Sequence, residues 1–210
     1  FVILGLAFLA FSERPADLAP GLKTFGVTFS KKAAVALGLD WQKTYLAILD
    51  ELGVEKLRLA AYWDEIEKED GQYDFSDLDW QVSEAEKRGA KIILTVGQRL
   101  PRWPECHIPD WAKNLPASER QEKLLKVIEL IVNRYKQSPS IEYWQVENEP
   151  FLPRFGICPE FNSQFLDEEL ALVRELDKRL IIVSDSGELS FWLAAARRAG
   201  AAGGSGCWSS

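Results

Sequence analysis

Glu149 closes the stretch Ile141-Glu142-Tyr143-Trp144-Gln145-Val146-Glu147-Asn148-Glu149-Pro150, in which a strand-forming run stops on Asn-Glu-Pro. Proline cannot donate to a sheet ladder, so Pro150 is expected to mark the strand's carboxyl end and turn the chain into a loop. Glu149 then stands at the mouth of a sheet, where a carboxyl group can give or take a proton. Taken alone, the tripeptide also fits a strand followed by a polar turn. Glu147 shares strand parity with Glu149 and is expected to point inward with it, as a polar group that packs or supports the site, with contact to a substrate as the alternative.

The chain holds eight tryptophans in 210 residues. An indole offers a flat apolar face and a polar edge, suited to stacking on sugar rings or to filling a core. Trp103 and Trp111 lie in a loop stiffened by Pro101, Pro104 and Pro109, and Trp63 follows a strand; each is a sugar platform or loop packing. Trp41, Trp80 and Trp144 read as core. His107, the single histidine, either lines the cleft or is incidental.

Length and charge narrow the field. The chain suffices for one sizeable core. A net charge of −7 argues against a nucleic-acid surface and for a neutral or weakly charged ligand. The chain contains no methionine, so it reads as a fragment or a processed product. Residues 1–12 open on eleven apolar residues, too few to span a bilayer but matching a signal peptide or the remnant of a membrane anchor. A buried strand or helix is the alternative. The first reading implies a secreted or membrane-anchored, extracytoplasmic protein. Cys106 and Cys158 each follow a strand by about ten residues, so in an oxidising compartment they could pair; two free thiols are the other option. With Cys207 they show no zinc-site spacing, and no metal or organic cofactor is expected.

These residues need a scaffold, and apolar periodicity supplies one. Strands are expected over 24–29, 56–62, 91–97, 141–150 and 180–184, with helices over 40–52, 77–88, 119–135 (capped by Ser118), 163–177 and 188–198. Continuous apolar strands alternating with helices imply a parallel α/β sheet. It could be open and doubly wound, or a (β/α)8 TIM barrel. No glycine-rich phosphate loop follows the first strand, and the long aromatic loops all follow strand carboxyl ends, which favours the barrel. A barrel takes about 250 residues, so this one is expected to be truncated after about five βα units. That leaves 13–199 as a partial barrel domain and 200–210 as a low-complexity tail.

From about residue 25 to 191 the chain resembles the front of a clan A glycoside hydrolase, the barrel group holding cellulases, mannanases and β-galactosidases. Val146-Glu147-Asn148-Glu149-Pro150 resembles the fourth-strand Asn-Glu-Pro signature. Lys56-Leu57-Arg58-Leu59 resembles the second strand, and Tyr62-Trp63-Asp64-Glu65-Ile66-Glu67 with Gly71-Gln72-Tyr73-Asp74-Phe75 the loop after it.

The resemblance implies an O-glycosyl hydrolase acting on a β-linked oligo- or polysaccharide by a retaining, two-carboxylate mechanism. Glu149 would be the acid/base, Asn148 would bind the 2-hydroxyl, and Arg58 would orient a neighbouring carboxylate. Trp103, Trp63 and Glu188, just past the fifth strand, are the further substrate-binding candidates. The family's nucleophile is a seventh-strand glutamate, which this chain is expected to lack. The competing class is a non-catalytic carbohydrate-binding barrel, and a monomer is expected in either case.

Overall fold

The structure, a computed structural model, describes residues 25–152 and 155–184. The segment 1–12, Cys207, the tail, Glu188 and the helix expected over 188–198 lie outside the described residues.

Five strands form one parallel sheet in sequential order: β1 Gly26–Thr28, β2 Lys56–Ala60, β3 Lys91–Val96, β4 Ile141–Val146 and β5 Ile181–Ile182. Between them run α1 Lys31–Ala36, α2 Trp41–Asp50, α3 Trp63–Ile66, α4 Ser76–Lys87, α5 Ala117–Tyr135 and α6 Ser163–Leu176. A doubly wound sheet reverses its strand order at a switch point. An uninterrupted 1-2-3-4-5 order, with crossovers of one hand, keeps every helix on one face. That is the progression of a barrel wall.

Strand alternation divides the two faces. Leu57 and Leu59, Ile92 and Leu94, Trp144 and Val146 are buried in one core with Leu49, Val82, Ile128, Ile131 and Val173 of the helices. Burying one such aliphatic side chain is worth about 1.5–3 kcal/mol. The other face carries Thr28, Arg58, Ile93 and Tyr143 side by side in register. With Lys56, Glu142 and Gln145 they line a cavity of about 600 Å³. There the Lys56 ammonium donates to both Glu142 oxygens, at 2.6 and 2.7 Å.

Three expectations shift. α5 begins at Ala117 behind Pro116, whose ring presets the backbone for helix entry, so Ser118 sits in the first turn and is not the cap. β4 ends at Val146, four residues before Pro150, because Glu147 (φ 57°) and Glu149 (φ 49°) turn left-handed. Strand parity therefore does not extend to Glu149. α1 and α3 are additional short helices; the hydroxyl of Ser30 caps α1 by accepting the N–H of Ala33 at 3.2 Å.

Candidate active site

Glu149 sits just beyond the carboxyl end of β4, 8% exposed. Its backbone N–H donates to the Ser184 hydroxyl at 3.0 Å, tying the turn after β4 to the segment after β5. Arg58, in the middle of β2, donates through Nε to the hydroxyl of Thr28 at 3.0 Å and through Nη1 to Asn148 Oδ1 at 3.5 Å. Burial lowers the Arg58 pKa, and the Glu149 carboxylate is the largest charge opposing that shift. Glu149, Asn148 and Arg58, the three central candidates, are thus brought together at one end of the sheet.

Asn148 is held from every side. Its backbone N–H donates to the carbonyl of Arg99 at 2.7 Å, and its carbonyl accepts from Arg99 Nε at 2.9 Å. Its side-chain Oδ1 accepts from Gln145 Nε2 at 3.4 Å and from Ser184 Oγ at 3.3 Å. Gln145 Nε2 also reaches the Ser184 hydroxyl at 3.1 Å and the carbonyl of Glu147 at 2.9 Å. Together these bonds fix the turn that presents Glu149.

Glu147 points the other way. Its carboxylate accepts the N–H groups of Gln98 (2.9 Å) and Arg99 (2.5 Å) and hydrogen-bonds Glu169 of α6. It is a packing group, as its type suggested, but turned outward, because its left-handed backbone breaks the strand parity. Burial pushes both carboxyl groups up, Glu147 to about 7. Glu147 accepts two backbone N–H groups and Glu169 accepts none, so the proton resides on Glu169. Gly97 makes the close approach possible: at φ 122°, a Cβ there would lie 2.6 Å from the Glu147 carboxyl carbon.

The aromatic candidates separate. Trp63 is fully buried in α3, its indole N–H donating to Glu67 at 2.7 Å and its ring set edge-on to Trp111. It has no face left for a sugar, a correction the four-residue helix imposes. Trp111 donates to the carbonyl of Glu67 at 2.9 Å and packs its loop. Trp103 is 65% exposed, with Phe155 beside it at 6.4 Å between ring centroids.

His107 is buried. Lys32 Nζ lies 3.0 Å from its Nδ1, and the carbonyl of Arg102 lies 3.1 Å from Nε2. Those partners assign a neutral ring with the proton on Nε2. Burial, then the Lys32 charge, lowers its pKa to about 4.

The loops after β3 and β4 are joined by a disulfide between Cys106 and Cys158. Next to it is Glu105, a buried carboxyl group that sequence reasoning passed over. Its Oε2 lies 3.5 Å from Asn148 Nδ2, and burial raises its pKa against the opposing charge of Arg99. Arg99, Gln145 and Ser184 were equally missed. Gln145 had a signal, since it shares the inward parity of Tyr143 within β4. Among the described residues, no group of three or more His, Cys, Asp or Glu is placed to hold a metal ion. No helix among them is long and apolar enough to cross a membrane.

A parallel barrel wall with a buried carboxyl group at the end of its fourth strand defines the class. Comparison with known proteins then gives the family: residues 21–202 match the model for cellulase (glycosyl hydrolase family 5), and the chain belongs to that family, within clan A. It is 27% identical over 172 residues to the β-galactosidase BgaA of Clostridium cellulovorans, covering 72% of this chain and 26% of that protein. It is likewise 27% identical over 182 residues to the β-galactosidase BgaH of Haloferax lucentense, covering 72% and 25%. The chain thus spans about a quarter of the length of these relatives.

Among solved structures, a family 10 endo-β-1,4-xylanase from Gloeophyllum trabeum superposes with a TM-score of 0.58 at 16% identity, over 79% of this chain and 52% of its own. The β-galactosidase of Halorubrum lacusprofundi does so with a TM-score of 0.53 at 15% identity, over 78% and 36%. These likenesses establish the barrel fold.

Proposed function

We propose that this chain carries the proton-donor side of the active site of a retaining β-glycoside hydrolase. One arrangement supports the reading: a buried Glu149 at the end of β4, next to Asn148 and facing the Arg58 guanidinium. Glu149 protonates the glycosidic oxygen as the bond breaks and then, as a base, activates the water that releases the sugar. Asn148 binds the 2-hydroxyl, a contact that tightens in the transition state. Arg58 helps keep the attacking carboxylate ionised. The exposed ring of Trp103 offers a stacking face for a sugar outside the cleft. The attacking carboxylate is a seventh-strand glutamate, beyond the five strands described. The substrate is a β-linked oligo- or polysaccharide, with β-galactosides first to be tried because the similar proteins named above are β-galactosidases. The apolar opening segment and the disulfide support an extracytoplasmic setting.

The test is hydrolysis of aryl β-glycosides by protein that also carries the later strands, with the released sugar followed by NMR. Initial release of the β-anomer, with a loss of about 10²–10⁴-fold in Glu149→Gln, is the expected result. Initial release of the α-anomer overturns retention. Sugar binding without turnover of any glycoside would leave a non-catalytic binding barrel as the better account.

A further inference from the structure

We propose that Glu105 is a positioning residue of this site: it fixes the orientation of the Asn148 side-chain amide from the loop after β3. The proposal rests on the reading of Asn148 as the residue that meets the sugar, and it deepens that reading.

Around Asn148 Oδ1 stand three donors, Arg58 Nη1 at 3.5 Å, Gln145 Nε2 at 3.4 Å and Ser184 Oγ at 3.3 Å. The Ser184 hydroxyl already accepts from the Glu149 N–H and from Gln145, so its own proton goes to Asn148. A flipped amide would set its NH₂ against the Arg58 and Gln145 donors. On the other side the acceptor is Glu105 Oε2, 3.5 Å from Nδ2. A carboxylate there engages one N–H of the planar amide, and planarity then sets the direction of the other.

The position of Glu105 is itself over-determined. It takes a left-handed backbone, φ 70°, which a non-glycine residue keeps only where its surroundings enforce it. Its N–H donates to the carbonyl of Arg102 at 2.8 Å, and its carbonyl accepts from Leu100 at 2.7 Å. The loop after β4 presses on it: a Cβ on Gly156 would lie 2.6 Å from Glu105 Cβ, and the Ile157 N–H donates to the carbonyl of Pro104 at 2.9 Å. The disulfide begins at the next residue, Cys106. Nothing in the proton-transfer chemistry requires a third carboxyl group here, yet two loops are clamped together around one.

The groups that face Glu105 are Arg99, Arg102 and Arg58, which favour its charge, Glu149, which opposes it, and the Asn148 amide. The Asn148 side-chain N–H signals should therefore shift with pH as Glu105 titrates, above the ordinary carboxylate range because of burial.

The experiment is ¹⁵N–¹H NMR of the full chain, the Asn148 side-chain signals being assigned by their loss in Asn148→Ala. In Glu105→Gln, close in shape, the pH-dependent component due to Glu105 disappears, while any contribution from Glu149 persists. Glu105→Asp, which keeps the charge but shortens the arm, retains a titration with altered shifts. An Asn148 amide that titrates in Glu105→Gln as it does in the wild type overturns the proposal. Binding of a β-linked disaccharide supplies the second readout. Glu105→Ala weakens it about tenfold, and Glu105→Ala/Asn148→Ala binds no more weakly than Asn148→Ala alone; losses that multiply overturn the positioning role. If no β-glycoside binds, the proposed function fails, and the amide titration still decides the link between Glu105 and Asn148.

Discussion

The hydroxyl of Ser184 accepts the backbone N–H of Glu149 at 3.0 Å, so the candidate proton donor is anchored across the sheet to the segment after β5. The same hydroxyl reaches Asn148 Oδ1 and Gln145 Nε2. Ser184→Ala leaves the Glu149 N–H without its acceptor in a buried setting, which costs about 1–3 kcal/mol. The expected outcome is that loss of stability in urea unfolding, together with weaker sugar binding. Unchanged stability would show that Ser184 is a bystander.

Gly97 faces Glu147 across the loops after β3 and β4. At φ 122°, Gly97→Ala would both strain the backbone and drive a methyl group to 2.6 Å from a carboxyl carbon that cannot retreat, since it is held by Gln98, Arg99 and Glu169. A destabilisation of about 1–3 kcal/mol or more is expected. Thermal unfolding checks it, with Gly53→Ala as the comparison: Gly53 is also left-handed (φ 63°), but its Cβ would meet nothing within 4 Å.

The disulfide joins Cys106 to Cys158 across a sequence separation of 52. Constraining a loop of that length in the unfolded chain is worth about 4 kcal/mol in the chain-entropy model. Cys158→Ser/Cys106→Ser should therefore lower the denaturation midpoint clearly. It should also loosen the loop bearing Glu105, read as broadening of the Asn148 side-chain signals. A midpoint unmoved by the double substitution would mean that the loops hold each other without the bond.

Much of this was legible in the sequence because it is local. Apolar runs such as Lys91-Ile92-Ile93-Leu94-Thr95-Val96, separated by helical periodicity, give five units, and Asn148 and Glu149 sit just past a strand end, where such units display their chemistry, with the long side chain of Arg58 reaching them from within β2. What escaped was set by tertiary register. Glu105 meets Asn148 only because Gly156 lets one loop lie on the other, and Ser184 reaches Glu149 only because β5 pairs with β4. The left-handed turns at Glu147 and Glu149 carry no signal, since neither residue favours that backbone. Trp63 reads as a loop residue until a four-residue helix buries it.

Two buried groups should shape stability against pH in opposite senses. His107 is neutral in the fold, with its pKa lowered to about 4 by burial and then by Lys32. The unfolded chain therefore binds more protons than the folded one between about 4 and 6.5, and the stabilisation present above 6.5 is lost as pH falls through that window. A depression of that size corresponds to roughly 3 kcal/mol. The carboxyl pair acts the other way. Burial raises Glu147 to about 7 and Glu169 well above its ordinary value, so the folded state holds a proton that the unfolded carboxylates release above about 4.5. That contribution is complete at low pH and is lost as pH rises through 7 and beyond. Glu169→Gln keeps a donor for Glu147 and removes the proton it must hold, so the alkaline fall should flatten. Glu169→Ala leaves Glu147 short of a donor and should destabilise at every pH. Urea midpoints measured from pH 4 to 9 separate the outcomes: an alkaline slope identical in wild type and Glu169→Gln would show that the pair shares no proton.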